Sequence, residues 1–278
     1  CAPRPSERPL DEADGRGPVV AGAVEPSKEF LAGLRERGLH DYAVLYLEQM
    51  RKSPLASPAF QQTVDLELAV TLADGARLAT DPAARDEELR RALTAFDKCL
   101  AAGGESFAYR GAALRSKGKT QLALAASLIA QADRPTNKAR KGELVEAARK
   151  LFGDGGKSFS EATAFYHRRK DELAKSTAAD KKELEEERKA GVLEALLLEA
   201  TADLELGKTF EAGSTDGKQV LARGAARFGY LAEQYRRFLA GQLATVRQAE
   251  CYELLGEADK ALGAIEPIVG GDDGSPEG

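Results

Sequence analysis

An all-α fold built from antiparallel helical hairpins is predicted, and three observations predict it. Apolar residues make up 43% of the 278 residues but aromatics only 6%, with no Trp and one Met, so the apolar set is mostly Ala and Leu. Ala is the strongest helix former and lets helices pack closely. Runs of Val, Ile, Thr and aromatics of the kind that make strands are almost absent. The third observation is a spelling that recurs, Gly38-x4-Ala43-x3-Leu47 near one end and Gly256-x4-Ala261-x3-Ile265 near the other. A glycine free to take φ > 0 turns the chain between two helices, a small alanine sits where they cross, and a larger apolar residue fills the space beside it.

Residues 1–24 carry Pro3, Pro5, Pro9 and Pro18 with Gly15, Gly17 and Gly22 and no apolar period, which predicts a flexible leader. From residue 25 to residue 269 a single helical domain is expected. Ser27 is placed to cap a first helix with Phe30, Leu31 and Leu34, and Gly38 turns the chain into a second with Tyr42, Ala43, Leu45, Leu47 and Met50. Ser57-Pro58 is a cap followed by Pro at the first helical position, opening a long helix with Phe60, Val64, Leu68 and Leu72 on one face. Asp81-Pro82 restarts the chain by the same device, ahead of a stripe of Leu89, Leu93, Phe96 and Leu100 that Gly103-Gly104 ends.

A weaker third hairpin is spelled Gly111-x2-Leu114-x3-Gly118-x4-Ala123, with the turn expected at Gly118. Residues 134–139 break the chain. A helix with Leu144, Val145, Ala148, Leu151 and Phe152 follows, and resumes after a glycine break at Phe159, Ala162, Phe165 and Tyr166. Another runs from about residue 180 to 206, charged along Lys181–Lys189 and apolar at Leu193, Leu196, Leu197, Ala200 and Leu204. Its charged half carries opposite signs at i,i+4 and reads as an exposed helix end. A turn at 213–217 precedes a helix with Leu221, Ala225, Phe228, Leu231 and Tyr235. The last hairpin spells Ala249-x2-Tyr252-x3-Gly256-x4-Ala261-x3-Ile265, and residues 270–278, Gly- and Asp-rich, read as a disordered tail.

Forty Lys+Arg against forty-five Asp+Glu give a net charge of −5 with the signs interspersed, and no basic stripe of the kind a nucleic acid requires. No apolar run approaches the about 18–20 residues that span a bilayer. Cys99 and Cys251 lie within apolar stripes and read as small buried hydrophobes, since three cysteines at these spacings make neither a disulfide framework nor a metal site. Cys1 is the candidate lipid-attachment residue: it reads either as the acylated first residue of a mature lipoprotein or as the point where a processed chain begins.

Chemistry-bearing motifs are few. Gly153-Asp154-Gly155-Gly156-Lys157-Ser158 ends like a phosphate-binding loop, but Leu151 stands where such a loop needs its first glycine, and a helix rather than a strand precedes it. His40 and His167 are the two histidines, expected to be exposed, and they form no pair for a metal. A carbohydrate-binding α/α-barrel needs aromatic platforms that a chain without Trp lacks. No catalytic residue, cofactor or metal is therefore assigned.

The last hairpin has the pattern of a tetratricopeptide repeat, a unit that buries its apolar faces by stacking on neighbours. The runs Glu233-Gln234-Tyr235-Arg236-Arg237-Phe238-Leu239-Ala240-Gly241 and Gln248-Ala249-Glu250-Cys251-Tyr252-Glu253-Leu254-Leu255-Gly256, with Lys260-Ala261-Leu262, resemble the tetratricopeptide-repeat proteins of planctomycete bacteria. So do Leu34-Arg35-Glu36-Arg37-Gly38-Leu39-His40-Asp41-Tyr42-Ala43 and Asp74-Gly75-Ala76-Arg77. The resemblance spans about residues 27–269 and implies an exported scaffold with a TPR-like α-solenoid, irregular through the long helices at 134–212. The expected function is non-enzymatic: binding or assembly of a protein partner, or self-association, outside the cytoplasm in the periplasm or cell envelope. Two alternatives stand beside it, a lipid-anchored subunit of an envelope complex held by Cys1, and an enzyme or small-ligand receptor with a polar cleft in the 140–212 region. The residues expected to carry the repeat packing are Gly38, Ala43, Leu47, Gly118, Ala123, Ala249, Tyr252, Gly256, Ala261 and Ile265.

Overall fold

Residues 26–174 and 181–269 are described by a computed structural model. Among them the chain is all-helical, and no strand occurs. The helices are α1 (Pro26–Glu36), α2 (His40–Met50), α3 (Pro58–Gln61), α4 (Val64–Leu78), α5 (Pro82–Gly103), α6 (Arg110–Ala132), α7 (Lys141–Ala174), α8 (Lys181–Lys208), α9 (Thr215–Gln234), α10 (Leu239–Leu255) and α11 (Ala258–Val269), with a 3-10 turn at Pro135–Arg140.

The expected punctuation holds at most joints, for the expected reasons. Gly38 turns α1 into α2 at φ 72°, Gly104 ends α5 at φ 62°, and Gly213 precedes α9 at φ 81°. The Ser57 hydroxyl accepts the Phe60 N–H at 3.1 Å, and the Asp81 carboxylate accepts the Ala84 N–H at 2.9 Å. Each satisfies an amide that the first turn of a helix leaves without a partner.

Four expectations are corrected. Ser27 is a buried residue inside α1, after Pro26, rather than its cap. The long helix expected from Pro58 is two, because α3 stops at Gln61 and the chain re-enters the helix at Val64; the Thr63 hydroxyl, buried, donates back to the Phe60 carbonyl at 2.8 Å. Gly118 makes no turn: it lies in the middle of α6, and Ala123 beyond it is exposed rather than at a helix crossing. The glycines at 153–156 are not a break, since α7 runs through them uninterrupted.

Four glycines within helices, Gly111, Gly118, Gly155 and Gly191, are sockets. A Cβ on Gly118 would lie 2.5 Å from the Phe159 ring, and one on Gly155 would lie 2.4 Å from Leu122. A Cβ on Gly111 of α6 or on Gly191 of α8 would lie 2.6 Å from Tyr166 Cζ. Phe159 and Tyr166 of α7 are thus seated in glycine gaps on the helices flanking it, with the Arg115 guanidinium 5.5 Å from the Tyr166 ring centroid. Phe159 is fully buried, and Phe165 and Tyr166 nearly so, which fills the space between α6, α7 and α8 with aromatic side chains. Burial of each such ring stabilises by about 2–3 kcal/mol.

Apart from the four-residue α3, each helix packs on its neighbours in the chain, and contacts also run α2 to α4, α4 to α6, α6 to α8 and α8 to α10, so these helices form one continuous row. The cores overlap along it. Leu68 touches both the cluster around Leu47 and Phe60 and the one around Phe96 and Phe165, and Leu196 joins the latter to the cluster around Phe228 and Cys251. No helix of the described residues is long and apolar enough to cross a membrane.

Candidate functional site

The last hairpin is where apolar surface stays uncovered. A hard steric turn sets its entry: a Cβ on Gly241 would lie 2.1 Å from the Tyr235 carbonyl oxygen, so only glycine lets α10 start this close behind α9. One face of α10 then sits on α8 and α9 through Gly241, Ala244 and Cys251, all buried. The opposite face also carries apolar side chains, Leu239, Leu243 and Val246, which are 76%, 47% and 49% exposed. A helix that is apolar on two faces is normally an interior helix. Here one of those faces has no cover among the described residues.

Gly256 ends α10 in the left-handed conformation, φ 78°. The Glu257 N–H donates back to the Tyr252 carbonyl at 2.9 Å, the bond that closes a helix through such a glycine. The reversal brings α11 beside α10 and opens a groove of about 620 Å³ between them. Val246, Ala249, Glu250 and Glu253 line it from α10. Ala258, Ala261, Leu262 and Ile265 line it from α11. Each set has the i, i+3, i+4, i+7 spacing of a single helix face, so two parallel-sided stripes face one channel. The floor is small side chains, and Leu262, 68% exposed, stands at the edge.

Carboxylates rim the channel. Glu250 accepts from Lys208 and from Arg247, each at 2.7 Å. Burial pushes the Glu250 carboxyl up, but these two cations outweigh it and leave the carboxyl below its usual range. Glu253, Asp259 and Glu266 have no ion pair among the described residues, whereas Lys260 is taken by Glu257 at 3.0 Å.

The residues expected to pack the repeats divide into three groups. Gly38, Ala43 and Leu47 form the first hairpin, with Ala43 and Leu47 fully buried. Ala249, Gly256, Ala261 and Ile265 come together at the groove. Tyr252 is half-buried on the other side of α10, against the Phe228 cluster, with the Lys260 ammonium 5.6 Å from its ring. Gly118 and Ala123 belong to neither hairpin. Cys1 lies outside the described residues. Sequence reasoning missed Val246, Glu253, Ala258 and Leu262, although the seven-residue stripes that contain them are readable on both helices.

Other polar groupings hold helices together. Asp203 of α8, buried, accepts from Arg223 at 2.6 and 3.0 Å and from Arg227, which also reaches Glu199 at 2.6 Å, tying α8 to α9. Burial pushes the Glu199 carboxyl up, against the pull of Arg227. Asp86, buried, accepts from Ser127 at 2.6 Å and Gln131 at 2.7 Å, tying α5 to α6. A smaller cavity of about 290 Å³ lies between the α1–α2 turn and α4, and His40, expected to be exposed, is half-buried there against Gly75, which has no side chain to keep it out. His167 is exposed. Among the described residues no three His, Cys, Asp or Glu side chains stand together as a metal site would require. The loop-like stretch 153–158 is helical throughout.

No family model matches the chain, and no curated protein is similar to it in sequence.

Proposed function

We propose that this chain is a non-enzymatic assembly scaffold, a TPR-like α-solenoid of exported, planctomycete type, that holds a protein partner at its last hairpin. The observation that carries the reading is the uncovered apolar channel between α10 and α11, on a helix whose sequence is that of an interior helix. Exposed apolar patches that are contiguous and rimmed by polar groups mark sites of protein association. The continuous row of alternate helices and the overlapping cores support a stacked-repeat reading, in which each unit is stabilised by the next.

The test is affinity purification of the full chain from its native envelope fraction, with partner stoichiometry measured by quantitative mass spectrometry. A partner near one-to-one that is lost on Leu262→Asp is expected. A chain that runs as a lone monomer and brings down nothing stoichiometric overturns the scaffold role.

A further inference from the structure

Taking the chain as an assembly scaffold, we propose that the α10–α11 channel receives one amphipathic helix of a partner protein, apolar along one stripe and flanked by lysines or arginines. Three features specify a helix. The exposed stripe on α10 continues from Leu239 through Leu243 and Val246 to Glu253, about 21 Å at 1.5 Å per residue, which matches a partner helix of about four turns. The channel is flanked on both sides by helix faces, the geometry in which an i/i+3/i+4/i+7 set of anchors docks. The small side chains Ala249 and Ala261 in its lining let a third helix approach to the about 8 Å of closely packed pairs.

Charge specifies the flanks. Between residues 246 and 268 stand five acids, Glu250, Glu253, Glu257, Asp259 and Glu266, against two bases, Arg247 and Lys260. Both bases are already committed to Glu250 and Glu257, which leaves Glu253 in the channel lining, and Asp259 and Glu266 exposed on α11, for a visitor's cations. The same excess disfavours a face-to-face second copy and residues 270–278 as occupants. Two copies of this hairpin face to face would set like charges against each other. Residues 270–278 contain Asp272, Asp273 and Glu277 and no apolar residue other than Gly and Pro.

The experiment uses the full chain and two synthetic helices of about 18 residues, five turns, with identical leucine stripes and either lysine or glutamate flanks. Binding is followed by fluorescence anisotropy at rising salt. The lysine helix is expected to bind about tenfold tighter than the glutamate helix at low salt, an advantage that screening erodes. Glu253→Lys combined with Glu266→Lys should invert the order. Both positions lie on the hairpin surface, so that variant keeps its fold. Leu262→Asp, and Ala261→Phe, which fills the channel, should abolish both while leaving the helical circular dichroism unchanged. Equal binding of the two helices overturns the basic-partner assignment. Binding of neither overturns the helix-receiving channel, and if a stoichiometric partner is still purified the scaffold role survives it. Concentration-dependent dimerisation by sedimentation equilibrium that Leu262→Asp reverses overturns the proposal in favour of a second copy.

Discussion

The block of α6, α7 and α8 and the hairpin of α10 and α11 use the same letters to opposite ends. Both place glycine within alanine-rich helices, and both spell Gly-x4-Ala. At Gly118 the glycine stays helical and vacates the volume that the Phe159 ring occupies; at Gly256 it leaves the helix with φ 78° and reverses the chain. The middle block consequently buries its aromatic residues fully or nearly so, while the hairpin leaves a channel open. A glycine in a helical sequence thus has two uses, as a missing side chain or as a missing steric bar, and what stands opposite it in space decides which.

The largest expected effect breaks the middle block. Phe159→Ala removes a fully buried ring from its socket and should cost about 3–5 kcal/mol in chemical denaturation. A cost under 1 kcal/mol would mean that the α6–α7 contact collapses readily, and the socket account would fail. Next, Gly118→Val should cost about 1–3 kcal/mol by overpacking against Phe159, and Phe159→Leu in the same chain should recover part of it. The control is Gly153→Ala in α7, where a Cβ meets nothing within 4 Å. There helix propensity alone acts, and a gain of about 0.5–1 kcal/mol is expected.

The hairpin answers to backbone rather than volume. Gly256→Ala places a Cβ in open space, so its expected cost of about 1–2 kcal/mol comes from the left-handed conformation. Gly256→Asn should recover part of that in thermal denaturation, because Asn tolerates the same conformation. The smallest effect is electrostatic. The Glu250 carboxyl titrates below its unfolded value of 4.5, so its contribution is complete above pH 4.5 and is lost as pH falls through the folded value. Burial works against the Lys208 ammonium, but bonds to Glu205 and Glu250 raise it above 10.5, so its share is complete below that pH and is lost above it. Glu250→Gln should flatten the acid limb of the stability profile by about 0.5 kcal/mol. An unchanged limb would show that the Lys208–Glu250 bridge contributes nothing.

Much of the fold was legible because caps and left-handed glycines act locally. Ser57-Pro58, Asp81-Pro82, Gly38 and Gly256 announce themselves in a few residues, and all four mark helix ends where expected. The errors at Gly118 and Gly155 share one cause: the Phe159 ring and the Leu122 side chain that fill those gaps lie 33 or more positions away along the chain, and no local pattern reports them. The candidate site was half legible. Ala249, Gly256, Ala261 and Ile265 were marked by the repeat spelling, but that spelling concerns how a hairpin closes on itself. Val246, Glu253 and Leu262 line the same groove outside that spelling, and only the three-dimensional arrangement shows that the groove has no cover among the described residues.

The two interior cysteines make the regional contrast measurable without any label being engineered in. Burial pushes the Cys99 thiol up to about 11 and the Cys251 thiol up to about 12, so at neutral pH neither carries the thiolate that alkylating reagents attack. Modification must then wait for local opening, with α5 reporting through one sulfur and α10 through the other. Peptide mapping of the alkylation times would rank the opening free energies of the middle of the stack and of its last hairpin, and occupancy of the channel should slow the clock at Cys251 while leaving the one at Cys99 untouched.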